Sequence, residues 1–384
     1  MAERSVINLQ DYDISPENGF LPHEDPVKII PFRAYIEWEL VKFGKNLPDF
    51  INDNKIRTEC HALHLLPEDS INKWNKKQME YARMVYAFGA SAFIHGQELP
   101  AVYVPEPLAK PLYLLSKALN KPPILSYDSY VLHNWRRKDP TKPIEVDNLE
   151  IIQGFLGTPD ESWFILIHVN IEKEAAVLIK AIVDAVMAAE ENNLIRLILA
   201  LMAMGNTLFK MVRIFERMGE HAFPETYHNT RKWIMSYGNV VFENVKELNN
   251  EPQSERGQTG AQSSIIPSVV ACLNIIHKET GMTNHLLDMQ KYMPEGHRRF
   301  IKDIEARSKV REFVLTHSDS LLIEAYNHSV YGLYNFRKTH LDHATRFIHN
   351  QTTNPVGTGG TPFMEWLSQL LTETLEHIIS TEWA

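Results

Sequence analysis

Cysteine is the scarcest informative residue in this chain. Across 384 residues only Cys60 and Cys272 occur. Two thiols cannot build a disulfide framework, a four-cysteine metal cluster or a CxxCH haem attachment, and they suit a reducing compartment. A dense basic run is also missing. The 39 Lys and Arg stand against 48 Asp and Glu, for a net charge of −9, which argues against nucleic acid as the main partner. Long apolar runs are lacking too. The most apolar stretch, 194–205, carries Arg196 and falls short of the roughly 20 residues a bilayer span needs. The first twenty residues hold no apolar h-region, so no signal peptide is read and a cytoplasmic protein is expected. HExxH, a P-loop, GxGxxG and a Gly-x-Ser-x-Gly elbow are all absent. One Glu-x-x-His pair occurs, Glu225 to His228, where a ferritin-like di-iron bundle needs two and two further carboxylates. Strand-like alternation is nearly absent.

What is present is helical periodicity. With 44% hydrophobic and 23% charged residues, the chain has the composition of a globular protein, and its length allows a large core and two lobes. Residues 1–30 are polar and proline-bearing and read as an extended arm. Apolar periodicity begins at Pro31 and continues through Phe32, Tyr35, Ile36 and Leu40, with helical patches to about Phe93. Residues 1–100 are read as a small N-terminal helical lobe and 101–121, bearing Pro105, Pro107 and Pro111, as a connection containing a short helix. Residues 122–384 are read as a large helical domain. Its segments run 162–189, 193–218, 262–278, 286–292, 294–306, 309–316, 320–349 and 361–379. The polar, glycine-rich loops at 250–260 and 350–360 suit mobile lids.

Two histidines stand apart. Most of the 17, such as His221, His228 and His377, have polar neighbours and read as surface residues. His340, however, follows Arg337 by three on a face that includes Val330, Leu333, Tyr334, Ala344 and Phe347, so the two share one side of a helix, one turn apart. A neutral imidazole is a good axial ligand for haem iron, and an arginine one turn away suits a propionate. A histidine on an apolar face is, by spacing alone, more often a hydrogen-bonded core residue. His168 lies in the run Trp163 to Val169 and shares a face with Phe164 four residues earlier. It is either a core histidine with a backbone partner or a polar group aimed into an apolar pocket. Residues 122–135 read as a helix start, with Ser126 or Asp128 as cap. GQTGAQSS (257–264) is a glycine-rich loop entering a helix, by itself a weak anion-site signal.

Taken in order, PPIL-SYDSYVLHNWRRKDP (122–140), GQTGAQSS (257–264), LLDMQKYMPEGHRRF (286–300), VREFVL (310–315), the histidine of FRKTHLDHATRFI (336–348) and GTGGTPFMEWL (357–367) resemble the indoleamine 2,3-dioxygenase family. The resemblance extends, more weakly, from about residue 20 to 370. It implies an all-α, two-lobed haem protein that inserts both atoms of O₂ across the indole C2–C3 bond of tryptophan. Position by position, it places His340 as proximal iron ligand and Arg337 near a propionate, with His343 the rival ligand. Tyr127, Tyr130, Val131, Phe164 and His168 fall where the distal pocket is lined. Arg231 falls at the substrate carboxylate, and Gly260, Ala261 and Thr358 where loops close over haem and substrate.

This chain departs from the family's pattern in places. His168 stands where a small serine is usual and Tyr130 where a cysteine is. Thr226 or Tyr227 replaces a phenylalanine, Lys232 beside Arg231 leaves that register open by one residue, and the loop before GTGGT is shorter. The related tryptophan 2,3-dioxygenases place a distal histidine near the indole N–H, which His168 resembles. The resemblance therefore implies haem b as cofactor, O₂ as co-substrate, and tryptophan or another indole as substrate. An N-formylkynurenine-type product follows, with no nucleic acid or membrane partner and a monomeric protein. A haem-binding or ligand-sensing protein without turnover and a dioxygenase for a simple indole are the alternatives.

Overall fold

The computed structural model describes residues 6–30, 35–352, 357–358 and 361–380. Pro31, Phe32, Gly359 and Gly360, all part of the readings above, lie outside the described residues. The periodic segments become α1 (Tyr35–Asn52), α2 (Ile56–Ala62), α3 (Glu68–Ile71), α4 (Lys76–His95), α5 (Glu106–Ala118), α6 (Pro159–Glu190), α7 (Leu194–Glu216) and α8 (Pro224–Arg231). They continue as α9 (Ile265–Leu273), α10 (Gly281–Gln290), α11 (Glu295–Arg307), α12 (Val310–His317), α13 (Ser320–Phe347) and α14 (Phe363–Leu375). An all-α class is thus the right description, with short strands added. β1 (Tyr103–Val104), β4 (Tyr237–Phe242) and β5 (Gln253–Glu255) form one small sheet, β1 parallel and β5 antiparallel to β4. β2 (Arg136–Arg137) and β3 (Leu149–Glu150) form a ribbon.

Local chemistry explains the three long helices that carry the site. Thr158 caps α6 by accepting from the Glu161 N–H, with Pro159 at the first position and Asp160 and Glu161 in the first turn. Asn192 then takes φ 56° and Asn193 caps α7, which folds α7 back along α6 through a very short turn. Ser318 at φ 51° ends α12, and Asp319 caps α13 by accepting from the Leu322 N–H at 2.9 Å. α7 is the layer between α6 and α13. A Cβ on Gly332 of α13 would stand 2.9 Å from the Leu208 Cβ and 3.2 Å from the Gly205 carbonyl, so glycine allows α7 and α13 to approach closely. That contact sets the height of His340, two turns further along α13.

Four expectations need correction. The most apolar segment does not stop at Gly205: by length and composition Leu194–Glu220 suffices to cross a membrane, yet half of its most apolar window is buried within the protein. The extended arm is packed, since Ile7, Ile14, Phe20, Leu21 and Ile30 are all buried and Phe20 lies 4.5 Å from the His297 ring. Residues 122–135 do not open a long helix. They make one wide π-type turn, Asp128–Leu132, followed by β2. His221 and His228 are exposed, but His377 is half-buried and its Nε2 accepts the Ile276 N–H.

Candidate active site

α13 presents a buried stripe from Leu322 through Leu333 to Arg337, which resumes at Ala344 and Phe347. His340 falls in the gap, on the same side of the helix, and is exposed. It is also closely surrounded: burial pushes its pKa down to about 4, helped by nearby His168 and His343. The imidazole therefore keeps exposed surface while neighbouring atoms crowd it. Among the described residues no hydrogen bond is made to it. His343, the rival, is engaged otherwise. Its Nε2 donates to the Phe215 carbonyl at 3.1 Å, and its ring lies 4.8 Å from that of Phe215.

Across from His340 stands α6. The Phe215 ring is 6.1 Å from His340 and 5.9 Å from His168, so it neighbours both imidazoles. His168 is half-buried, and its Nδ1 meets the Phe164 carbonyl at 2.8 Å. A carbonyl only accepts, so Nδ1 holds the proton and Nε2 of the neutral ring is a bare acceptor. Burial lowers the His168 pKa to about 4, outweighing the Phe164 carbonyl that raises it. Phe164 packs against His168 at 4.5 Å and Tyr227 at 5.0 Å. Tyr127 stands edge-on to His168 at 6.2 Å. Tyr130, fully buried, stacks on Phe88 at 5.7 Å and lies 6.5 Å from Phe164, and its hydroxyl has no partner. Val131 is fully buried in the core.

Arg231 is the most unusual charge in the molecule. It is 9% exposed, and its Nε and Nη2 are buried with no hydrogen-bond partner. Burial lowers its pKa, with only the Tyr227 hydroxyl opposing. An unpaired buried guanidinium costs several kcal/mol. The neighbouring Lys232 points the other way: it is exposed, with Nζ 4.2 Å from the Trp233 ring. That settles which of the two side chains faces inward. Tyr227, one turn before Arg231, joins the Phe164 cluster, whereas Thr226 is exposed and donates to Asp160.

The remaining candidates are Arg337 within α13 and residues of two loops. Arg337 is 6% exposed, and its Nη1 donates to the Leu370 carbonyl at 3.2 Å and to the Thr374 hydroxyl. Its Nη2 meets His277 Nε2 at 3.2 Å, and His277 Nδ1 meets Glu373 at 2.7 Å, so this chain of contacts ties α13 to α14. Arg337 Nε is buried without a partner, and burial brings the group's pKa down to about 10. Gly260 and Ala261 sit on a short 3₁₀ turn, Gly260–Gln262, where a Cβ on Gly260 would meet nothing within 4 Å. Ala261 packs against Ile124, Met289 and Tyr292. Thr358 donates to the Gln258 carbonyl at 2.6 Å, and its own carbonyl accepts from the Ser236 N–H at 3.1 Å. The two glycine-rich loops therefore meet.

One further cluster has metal-ligand spacing. Ligand atoms of Glu80, Asp128 and His133 lie within 4.8 Å of one another. Lys121 Nζ already sits 2.6 Å from Glu80 and 2.7 Å from Asp128, and Arg83 reaches Asp128 at 3.4 Å. Those cations balance the carboxylates, and the cluster is a buried ion network.

Comparison with known proteins decides the family. The indoleamine 2,3-dioxygenase family profile matches residues 8–356. The chain belongs to the indoleamine 2,3-dioxygenase family. It is 32% identical to indoleamine 2,3-dioxygenase 1 of Rattus norvegicus, over 99% of this chain and 98% of that protein. It is 29% identical to a 6-hydroxytryptophan 2,3-dioxygenase of Fusarium equiseti, over 97% and 98%. It is 26% identical to the indoleamine 2,3-dioxygenase of Saccharomyces cerevisiae, over 96% and 93%. This chain is therefore an indoleamine 2,3-dioxygenase-like haem dioxygenase. Family membership implies haem, and the residues present fit such a group. His340 is a neutral imidazole with exposed surface and no hydrogen bond among the described residues, Gly260 leaves open space, and Arg231 keeps unpaired donors. Phe215 was missed by sequence reasoning because it is an ordinary core residue of α7. Glu172, fully buried four residues after His168, could have been noticed as a lone acid inside an apolar helix face.

Proposed function

We propose that this indoleamine 2,3-dioxygenase-like protein cleaves the indole C2–C3 bond of tryptophan with O₂, giving an N-formylkynurenine-type product. Haem b, when bound, supplies the activation of O₂. His340, the one imidazole on α13 with no hydrogen-bond partner, would hold its iron, and Arg337, one turn away, would supply a cation to a propionate. On the opposite side Phe164, Tyr127 and Tyr130 form an aromatic wall against which the indole ring is oriented, with Val131 behind it. His168 accepts the indole N–H through its bare Nε2, which needs no protonated imidazole. Gly260, Ala261 and Thr358 belong to the two loops that meet beside the pocket and exclude water.

The observation that carries the choice of an amino acid over a simple indole is Arg231. A guanidinium with two buried unpaired nitrogens is satisfied by a carboxylate, which tryptophan has and indole lacks. The buried, unpaired thiols of Cys60 and Cys272 agree with a cytoplasmic setting. The test is anaerobic reduction of the haem-loaded protein, then O₂ with tryptophan, hydroxytryptophans and indole, and mass spectrometry of the products. Ring-opened products carrying both oxygen atoms are expected, with tryptophan turned over faster than indole. Stoichiometric haem without oxygen consumption for any indole would leave a haem-binding protein without turnover.

A further inference from the structure

Glu172 is fully buried, although nothing in the chemistry above uses it. It lies one turn after His168 on the same face of α6. Its Oε1 accepts two hydrogen bonds, from the Tyr127 hydroxyl at 2.9 Å and from the Ser263 hydroxyl at 2.7 Å. Its Oε2 has no partner. Tyr127 belongs to the wall that stands edge-on to His168, and Ser263 belongs to the glycine-rich loop 257–264. That loop returns to Tyr127 a second time: the Tyr127 N–H donates to Gln262 Oε1 at 2.9 Å, and Gln262 Nε2 donates to the Gly257 carbonyl at 3.0 Å. From Gln258 the loop is held in turn by Thr358. A single carboxyl oxygen is therefore the point where α6, the aromatic wall and the closing loop converge.

We propose that Glu172 is a positioning residue that locks the glycine-rich loop 257–264 onto Tyr127 and thereby sets the closed form of the indole pocket. The proposal rests on the dioxygenase reading for its kinetic consequences only. Its structural content is the hydrogen-bonded convergence. Burying a carboxyl is costly, and a purely apolar residue at this position of α6 would be cheaper unless the two hydroxyls need an acceptor. Burial raises the Glu172 pKa to about 7, opposed by the Ser263 and Tyr127 hydroxyls. Its hydrogen-bond donors are Tyr127 and Ser263, His168 lies one turn before it on its own helix, and no charged neighbour contributes. Above that pH the carboxylate is a buried charge held by two hydroxyls, and opening the loop to water becomes less unfavourable.

The test pairs Glu172→Leu with Glu172→Gln, which keeps an acceptor oxygen without a charge. Hydrogen–deuterium exchange of the purified protein reads the loop independently of haem loading or turnover. In Glu172→Leu, amides of 257–264 should exchange about tenfold faster while those of α6 and α9 keep the parent's rates. The KM for tryptophan should rise about tenfold with kcat within about threefold, because ground-state and transition-state binding are lost together. Glu172→Gln should exchange like the parent, and the rise in KM expected of the parent between pH 6 and 8 should be absent from it. Parent-like exchange in Glu172→Leu, or faster exchange spread evenly over α6 and α9, overturns the proposal. If Glu172→Leu does not fold, Tyr127→Phe and Ser263→Ala each remove one donor to the same oxygen, and unchanged loop exchange in both is equally fatal. Absence of turnover in the parent would count against the dioxygenase reading alone, since the exchange result still decides the role of Glu172.

Discussion

Arg231 makes a prediction with two opposite signs. The side chain is 9% exposed, and two of its three nitrogens are buried without a partner. In the substrate-free protein that charge is a liability, so replacing it with a neutral group of similar length should stabilise the fold. A gain of about 1–3 kcal/mol is expected for Arg231→Met from the relief of an unpaired buried charge. Unfolding entropy is roughly 2 cal/mol/K per residue, or about 0.8 kcal/mol/K for a chain of 384 residues. The melting temperature should therefore rise by about 1–4 °C. In the complex the sign reverses. A carboxylate that loses a charge-assisted, two-pronged hydrogen bond loses about 2–4 kcal/mol, or roughly 30- to 1000-fold in kcat/KM. Indole has no carboxylate to lose and should stay within about threefold of the parent. Scanning fluorimetry without substrate and steady-state kinetics with both substrates measure the two effects. A lower melting temperature in Arg231→Met, or equal losses for tryptophan and indole, would refute the reasoning.

His340→Ala should abolish stoichiometric haem uptake, seen as loss of the Soret band and restored by added imidazole, whereas His343→Ala should retain it. The converse pattern would make His343 the ligand. His168→Ser should slow tryptophan cleavage about fivefold, the worth of one hydrogen bond of about 1 kcal/mol, and N-methylated indoles should lose less in the variant than in the parent. If the parent turns over N-methylated and unmethylated indoles equally well, His168 only packs. Acid should weaken the fold. Burial pushes the pKa of His297 down to about 3 and that of His168 to about 4. Between pH 6.5 and 4 the unfolded chain takes up protons that the native chain refuses, so stability is complete above pH 6.5 and is lost as pH falls through that window. Each histidine contributes up to about 3 kcal/mol, and Glu172, raised to about 7, partly offsets them in the same range. Urea midpoints at pH 7 and pH 5 should thus differ by less in His297→Phe than in the parent, and an unchanged difference would clear His297 of the effect. Arg337→Met should leave the His277–Glu373 pair intact but release α14, detected as faster proteolysis near residues 363–375. Protection equal to the parent's would show that α14 is held without Arg337.

Much of this protein is determined by local sequence. Helix periods, the Thr158, Asn193 and Asp319 caps and the left-handed asparagine before α7 act within a few residues, and so do the ordered signatures that carry the family. His340 and His168 stood out for the same reason, since each is a polar residue at a known step along an apolar face. What only tertiary structure decided was which group each side chain meets. His340 and His343 are three apart on one helix, and what separates them is that the Phe215 carbonyl of α7 occupies His343. Arg231 and Lys232 are neighbours, but α8 turns one into the protein and the other onto the outer face of Trp233. Phe215 beside both imidazoles and Glu172 beneath the Tyr127 hydroxyl could not be read from spacing, because their partners lie 45 or more residues away along the chain. The wide turn at 128–132 replaced the expected helix because Asp128 is drawn into the buried ions Arg83 and Lys121. Periodicity reports which face of a helix is buried; it contains no information about which atom lies opposite, and in this protein that atom holds His343 by a hydrogen bond that His340 lacks.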